Sequence, residues 1–155
     1  MSVLICDFMG DSTLVNVAED LCKRKSDIFS HLISHTLPKK GTNLSKLSFI
    51  DATMLYRLEN LEKAFPKLTP APIDYEESLY FKECQELFIA AQDRCCPSPL
   101  SSHYNIKFFY DLLGYLKSFL LKNNTIDTII IDNTPHMPWD ICLFFIAKKL
   151  NLKIL

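Results

Sequence analysis

Ile126–Leu155 reads IDTIIIDNTPHMPWDICLFFIAKKLNLKIL. Four isoleucines around Asp127 and Thr128 predict a buried strand over Ile126–Asp132, because β-branched apolar residues suit a pleated, covered surface. A short polar loop, Asn133–Pro138, interrupts it and carries the sequence Pro-His-x-Pro-Trp-Asp. A helix follows over about Trp139–Leu150, and a second strand opens at Leu152. Strand, loop, helix and strand in this order make one unit of an open α/β sheet. Ligands of such sheets sit beyond the carboxyl ends of the strands. The unit therefore points to the loop around His136 as the place to look for chemistry.

Working outward, Val3–Phe8 reads as a first strand, and Leu14–Arg24 as a helix with Leu14, Val17, Ala18 and Leu21 at helical spacing. Ser12 or Thr13 would cap it. Ile28–Ser34 and Leu47–Ala52 read as strands, with Pro38–Thr42 as a loop. Met54–Phe65 is expected to be a helix with Leu55, Leu58, Leu61 and Phe65 on one face, ended by Pro66. Pro66–Asp74 holds three prolines and reads as a linker or surface loop. Two long helices follow, Tyr75 to about Arg94 and Ser102–Leu121. Alternating strands and helices predict an α/β, Rossmann-like fold, a mostly parallel sheet with helices on both faces. The nearly continuous apolar run at Ile126 predicts a strand covered on both sides.

Composition narrows the functions. The chain has 155 residues, 48% hydrophobic and 23% charged, which suits a single domain with a sizeable core. A net charge of -1 supplies no basic field to collect nucleic acid. Three glycines and no GxGxxG or P-loop motif exclude a glycine-built phosphate cradle. The six cysteines form no CxxC pair, and Cys6, Cys22, Cys84 and Cys142 lie in apolar or amphipathic runs as small hydrophobes. The start MSVLICDFMGDS lacks a basic leader. Free thiols in a reducing cytoplasm are the expectation. No apolar run approaches a membrane span. The loop lysines Lys39, Lys40 and Lys46 leave a weak peripheral contact with lipid headgroups as an option.

Several residues can carry chemistry. His136, stiffened by Pro135 and Pro138, can act as base, acid or hydrogen-bond donor near neutral pH. The alternative is a histidine that only bonds its own loop. Asp132 and Asn133 follow the strand directly and could orient His136 or hold a sugar hydroxyl; Asx residues equally satisfy turn amides. Asp140 in the first turn of the next helix is expected to cap it. Asp7, Gly10, Asp11 and Ser12 form the first strand-to-helix loop, where Asp11 could meet a substrate or a metal. Arg94 could grip a phosphate or carboxylate in bidentate fashion, or simply complement its helix end. Cys95, Cys96 and His103 match no zinc spacing. His31 and His35 read as ordinary surface or interface residues.

The segment IIIDNTPHMPWDICLFFIAKKLNLKIL resembles part of the bacterial capsule-polysaccharide biosynthesis proteins and related two-domain glycosyltransferase-like proteins. The matching positions are Pro135, His136, Asp140, Ala147, Lys148, Leu150 and Leu152, and QDRCCPSP places Asp93 and Arg94 before a loop in a similar layout. The resemblance implies the N-terminal half of a GT-B-type enzyme, in which this half takes the glycan acceptor and a second half binds the nucleotide-sugar. The chain stops before any second half, so the resemblance implies a fragment that is inactive alone. His136 would be the acceptor-side base or a hydrogen-bond donor, with Asp132 or Asn133 orienting it, and Asp11 and Arg94 would contact substrate. No cofactor or metal is required. The competing reading is a non-catalytic α/β binding or interaction domain. A receiver-like signalling domain fits less well, because no strand-end acceptor Asp and switch Lys stand in place.

Overall fold

A computed structural model describes residues 2–7, 13–25, 28–95 and 101–155. Five strands form one sheet: β1 (Ser2–Asp7), β2 (Phe29–Ser34), β3 (Ser48–Asp51), β4 (Ile126–Ile131) and β5 (Lys153–Ile154). Their order is β3-β2-β1-β4-β5 and every pairing is parallel. This is the α/β Rossmann-like arrangement expected from the alternation of elements. β1 is the central strand, with Leu4 opposite His31 on one side and Ile129 on the other.

The two faces of the sheet are covered unequally. Ile5, Phe29 and Leu32 pack against Ala18 and Cys22 of α1 (Thr13–Arg24) and against Leu44 in a tight turn. On the opposite face Leu4, Cys6, Ile33 and Ile129 meet α4 (Lys82–Cys95), α5 (Ser102–Lys122) and α6 (Pro138–Lys149). This larger core holds Trp139, Phe81, Phe88, Phe108 and Phe109 fully buried. Each such side chain contributes on the order of 1.5–3 kcal/mol through the surface it removes from water. β4 is covered on both sides, as its composition suggested: Ile126 and Ile129 are buried in the larger core with Ile131 packed against it, and partly buried Ile130 packs against the smaller one.

Two expectations are corrected. Met54–Phe65 is not one helix: it breaks into tight turns at Ala52–Tyr56 and Leu58–Asn60 and the short α2 (Leu61–Ala64). The helix from Tyr75 breaks at Phe81 into α3 (Tyr75–Tyr80) and α4, with a capping box in which Asp74 accepts from Glu77 N–H at 2.8 Å. The proline-rich stretch is a surface loop, one of its two expected readings, and it is held in place rather than free. Ala71 N–H donates to the Gly114 carbonyl at 3.0 Å, and Ser118 Oγ donates to the Thr69 carbonyl at 2.6 Å, so the strap is stitched across α5. No helix among the described residues is long and apolar enough to cross a membrane.

Candidate functional site at the switch point of the sheet

Because all strands are parallel, their carboxyl ends share one rim. From β1 the chain leaves toward β2, and from β4 it leaves toward β5, on the other side. The crevice between two neighbours whose connections diverge is the ligand position of open α/β sheets. Here it lies between the ends of β1 and β4, and the His136 loop stands at it.

The loop is built by short local bonds. Asp132 N–H donates to the Cys6 carbonyl at 3.1 Å, which anchors its first residue to β1. Asn133 Oδ1 accepts from the N–H of the next residue, Thr134, at 2.8 Å. Pro138 begins α6, where its missing N–H costs nothing. Asp140, three positions into the helix entry, reaches back with both oxygens. It accepts from His136 N–H at 3.2 Å and Met137 N–H at 2.8 Å. This is the capping role that its position suggested. Asp140 has no exposed surface, and burial pushes its carboxyl up to about 6 although the backbone donors oppose this.

From the other side, Arg94 at the end of α4 donates from Nη2 to the His136 carbonyl at 3.1 Å. The loop is therefore gripped at consecutive backbone groups, its N–H by an anion and its carbonyl by a cation. The imidazole itself is exposed, and its Nδ1 lies 2.9 Å from the Thr134 carbonyl. A carbonyl only accepts, so Nδ1 carries the proton in the neutral ring and Nε2 is the proton acceptor.

His136, Arg94, Asp132 and Asn133 are thus brought to one loop and its immediate neighbours. Asp11 lies outside the described residues, as does Cys96. Cys6 sits beneath the rim. Burial pushes its thiol up, and the charges of Asp140, Asp132 and Asp7 add to the effect. Among the described residues no three His, Cys, Asp or Glu side chains are grouped to hold a metal.

One pair escaped the sequence reading. His35 follows β2 directly, and its Nε2 lies 3.0 Å from Tyr56 Oη, with the two rings 5.6 Å apart. Burial pushes the Tyr56 phenol up to about 12, so it stays protonated at neutral pH. The strand-end position of His35 was the signal available for it. His31, in contrast, is a packing residue: it meets Phe119 edge-on at 5.1 Å, and burial lowers its pKa.

Comparison of the chain with protein-family models, with curated proteins and with solved structures returned no match.

Proposed function

We propose that the chain is the acceptor-side half of a glycosyltransferase-like protein of bacterial surface (capsular) polysaccharide biosynthesis, with His136 as the base. The observation that carries this reading is the exposed imidazole at the β1/β4 switch point, held with its proton on Nδ1 by the Thr134 carbonyl. Attack by a sugar hydroxyl needs a group to take its proton, and Nε2 of such a ring is that group. Arg94 and Asp140 are positioning residues, since they hold the loop backbone rather than the ring. Asp132 and Asn133 flank the acceptor. The nucleotide-sugar would be bound by a second domain, and neither nucleic acid nor a cofactor enters the scheme.

A second reading, a non-catalytic binding module, draws on the same contacts, because the bonds of Arg94 and Asp140 close the loop on itself. Replacing His136 separates the two. In the protein as encoded, His136→Ala should lower turnover with a nucleotide-sugar and glycan acceptor by roughly 10²–10⁴, the contribution of a positioned base. The melting temperature should barely move. Turnover within about threefold of the parent would remove the catalytic assignment. A large fall in melting temperature would favour the module.

A further inference from the structure

A second concavity opens at the same rim but on the other face of the sheet, between α1 and residues 36–44. It is lined at its floor by Asp7, Ser34 and Leu32 and at its walls by Asn16, Lys39 and Leu44. We propose that it binds a single neutral polyol of monosaccharide size, whether or not His136 takes a proton.

Size comes first. The cavity volume is about 150 Å³. That is well below the ~300–1,000 Å³ of drug-sized sites, which favours a ligand of about one sugar ring over a larger one.

Chemistry selects among small ligands. Asp7 is fully buried at the floor, with its Oδ2 accepting from Ser34 Oγ at 3.2 Å. A carboxylate only accepts, an ammonium such as Lys39 only donates, and the Asn16 amide does both. Hydroxyl groups, which also do both, match such a mixed wall. A phosphate would face the carboxylates of Asp7 and Glu19 against the one ammonium. A small diamine would meet Lys39 with a like charge. The leucines on the lining suit the C–H face of a ring.

The wall is also held in place before any ligand arrives. Glu19 of α1 accepts from Asn43 N–H at 2.9 Å, Asn43 Nδ2 at 3.0 Å and Leu44 N–H at 3.0 Å. Burial of this carboxylate would raise its pKa, but these three bonds together with Lys23 hold it below the ordinary value. Ser34 Oγ meanwhile accepts from Thr36 N–H at 3.2 Å and fixes the start of the 36–44 segment. Preorganisation of this kind lowers the ordering entropy of binding.

The test is an amide NMR titration of the chain with methyl glucopyranoside, galactose and myo-inositol, and in parallel with inorganic phosphate and putrescine. Saturable shifts at Asn16, Thr36 and Lys39 are expected for at least one polyol, with Kd on the order of 1 mM for so small a ligand. Asn16→Ala, at an exposed position, should weaken binding about two- to tenfold. His136→Ala should leave the affinity unchanged, which separates this site from the proposed catalytic one. No saturable shift at ~100 mM polyol would overturn the proposal, being far weaker than the mM range set by ligand size. So would tighter binding of phosphate or putrescine than of any polyol, or an unchanged affinity in Asn16→Ala.

Discussion

Gly114→Ala tests the strap on α5, because two effects of opposite sign meet there. In an isolated helix, alanine is better than glycine by about 1 kcal/mol. In this helix, a Cβ at residue 114 would stand 2.7 Å from the Ala71 carbonyl oxygen and 2.8 Å from Pro70 Cβ. Contacts of this kind relax to ~3.5–4.0 Å, so the strap must retreat by roughly 1 Å. The retreat also stretches the bond from Ala71 N–H to the Gly114 carbonyl and strains that of Ser118 to Thr69. Overpacking costs about 1–3 kcal/mol and a weakened hydrogen bond about 1 kcal/mol more. After the propensity gain the net loss is about 1–3 kcal/mol. For a chain of this length that lowers Tm by roughly 2–10 °C. Thermal unfolding by circular dichroism, checked by a urea midpoint at constant m, gives the value. A Tm at or above the parent's would refute the reasoning, since propensity would then have won and the strap would not be seated as described. A double-mutant cycle with Pro70→Gly isolates the contact: the loss should shrink when Pro70 Cβ is removed.

Asp140 gives a pH test. Its carboxyl is pushed up from 3.8 to about 6 in the folded chain, so folding binds a proton over that interval. Stability from this group is full at low pH and is lost as pH rises through about 6, by on the order of 3 kcal/mol. Asp140→Asn should flatten this decline in a Tm–pH series, and a parent as pH-insensitive as the variant between about 4 and 6.5 would count against it. Lys117 lies 2.6 Å from Glu77 Oε1 and 3.0 Å from the Pro72 carbonyl, with the pair only 19% and 14% exposed. Lys117→Met should cost about 1–3 kcal/mol in a urea midpoint, between the surface and buried limits; a neutral result would show that the pair is solvated. Asn151 ends α6 with φ of 56°. Asn151→Gly should be neutral or stabilising by up to ~0.5 kcal/mol and Asn151→Ala destabilising by ~1 kcal/mol, a ranking that denaturant midpoints can reverse.

Strands were the legible part of this chain. Runs such as Ile126–Ile131 are rich in β-branched apolar residues for the length of a strand, and the strand ends were found within a residue or two. Helix breaks were not. Leu55, Leu58 and Leu61 recur at a spacing of three, which reads as one helical face but equally serves successive tight turns. Along Tyr75–Cys95, Phe81, Cys84, Phe88 and Ala91 are buried whereas Leu79, Tyr80 and Leu87 are exposed, a distinction that apolar spacing alone does not make. The His136 loop was legible because it follows a strong strand and contains two prolines. The grip of Arg94 on its backbone was not, since 42 positions separate the two residues and only the packing of α4 on α6 joins them. The α1-side cavity was hidden for the same reason. Asp7, Asn16, Ser34 and Lys39 belong to four different segments, which only the parallel pairing of β1 with β2 gathers at one end.

The central place of β1 has a consequence for synthesis. Val3 must find Thr128, which emerges 125 residues later. At ~5–20 residues per second, a ribosome needs roughly 6–25 s to deliver that partner. Throughout that interval the nascent chain carries an apolar strand zipped to β2 at most on one side, with its other edge open to any β-prone neighbour. Codons that slow elongation before Ile126 would lengthen that exposure, and a holdase that covers residues 2–7 would shorten its harm.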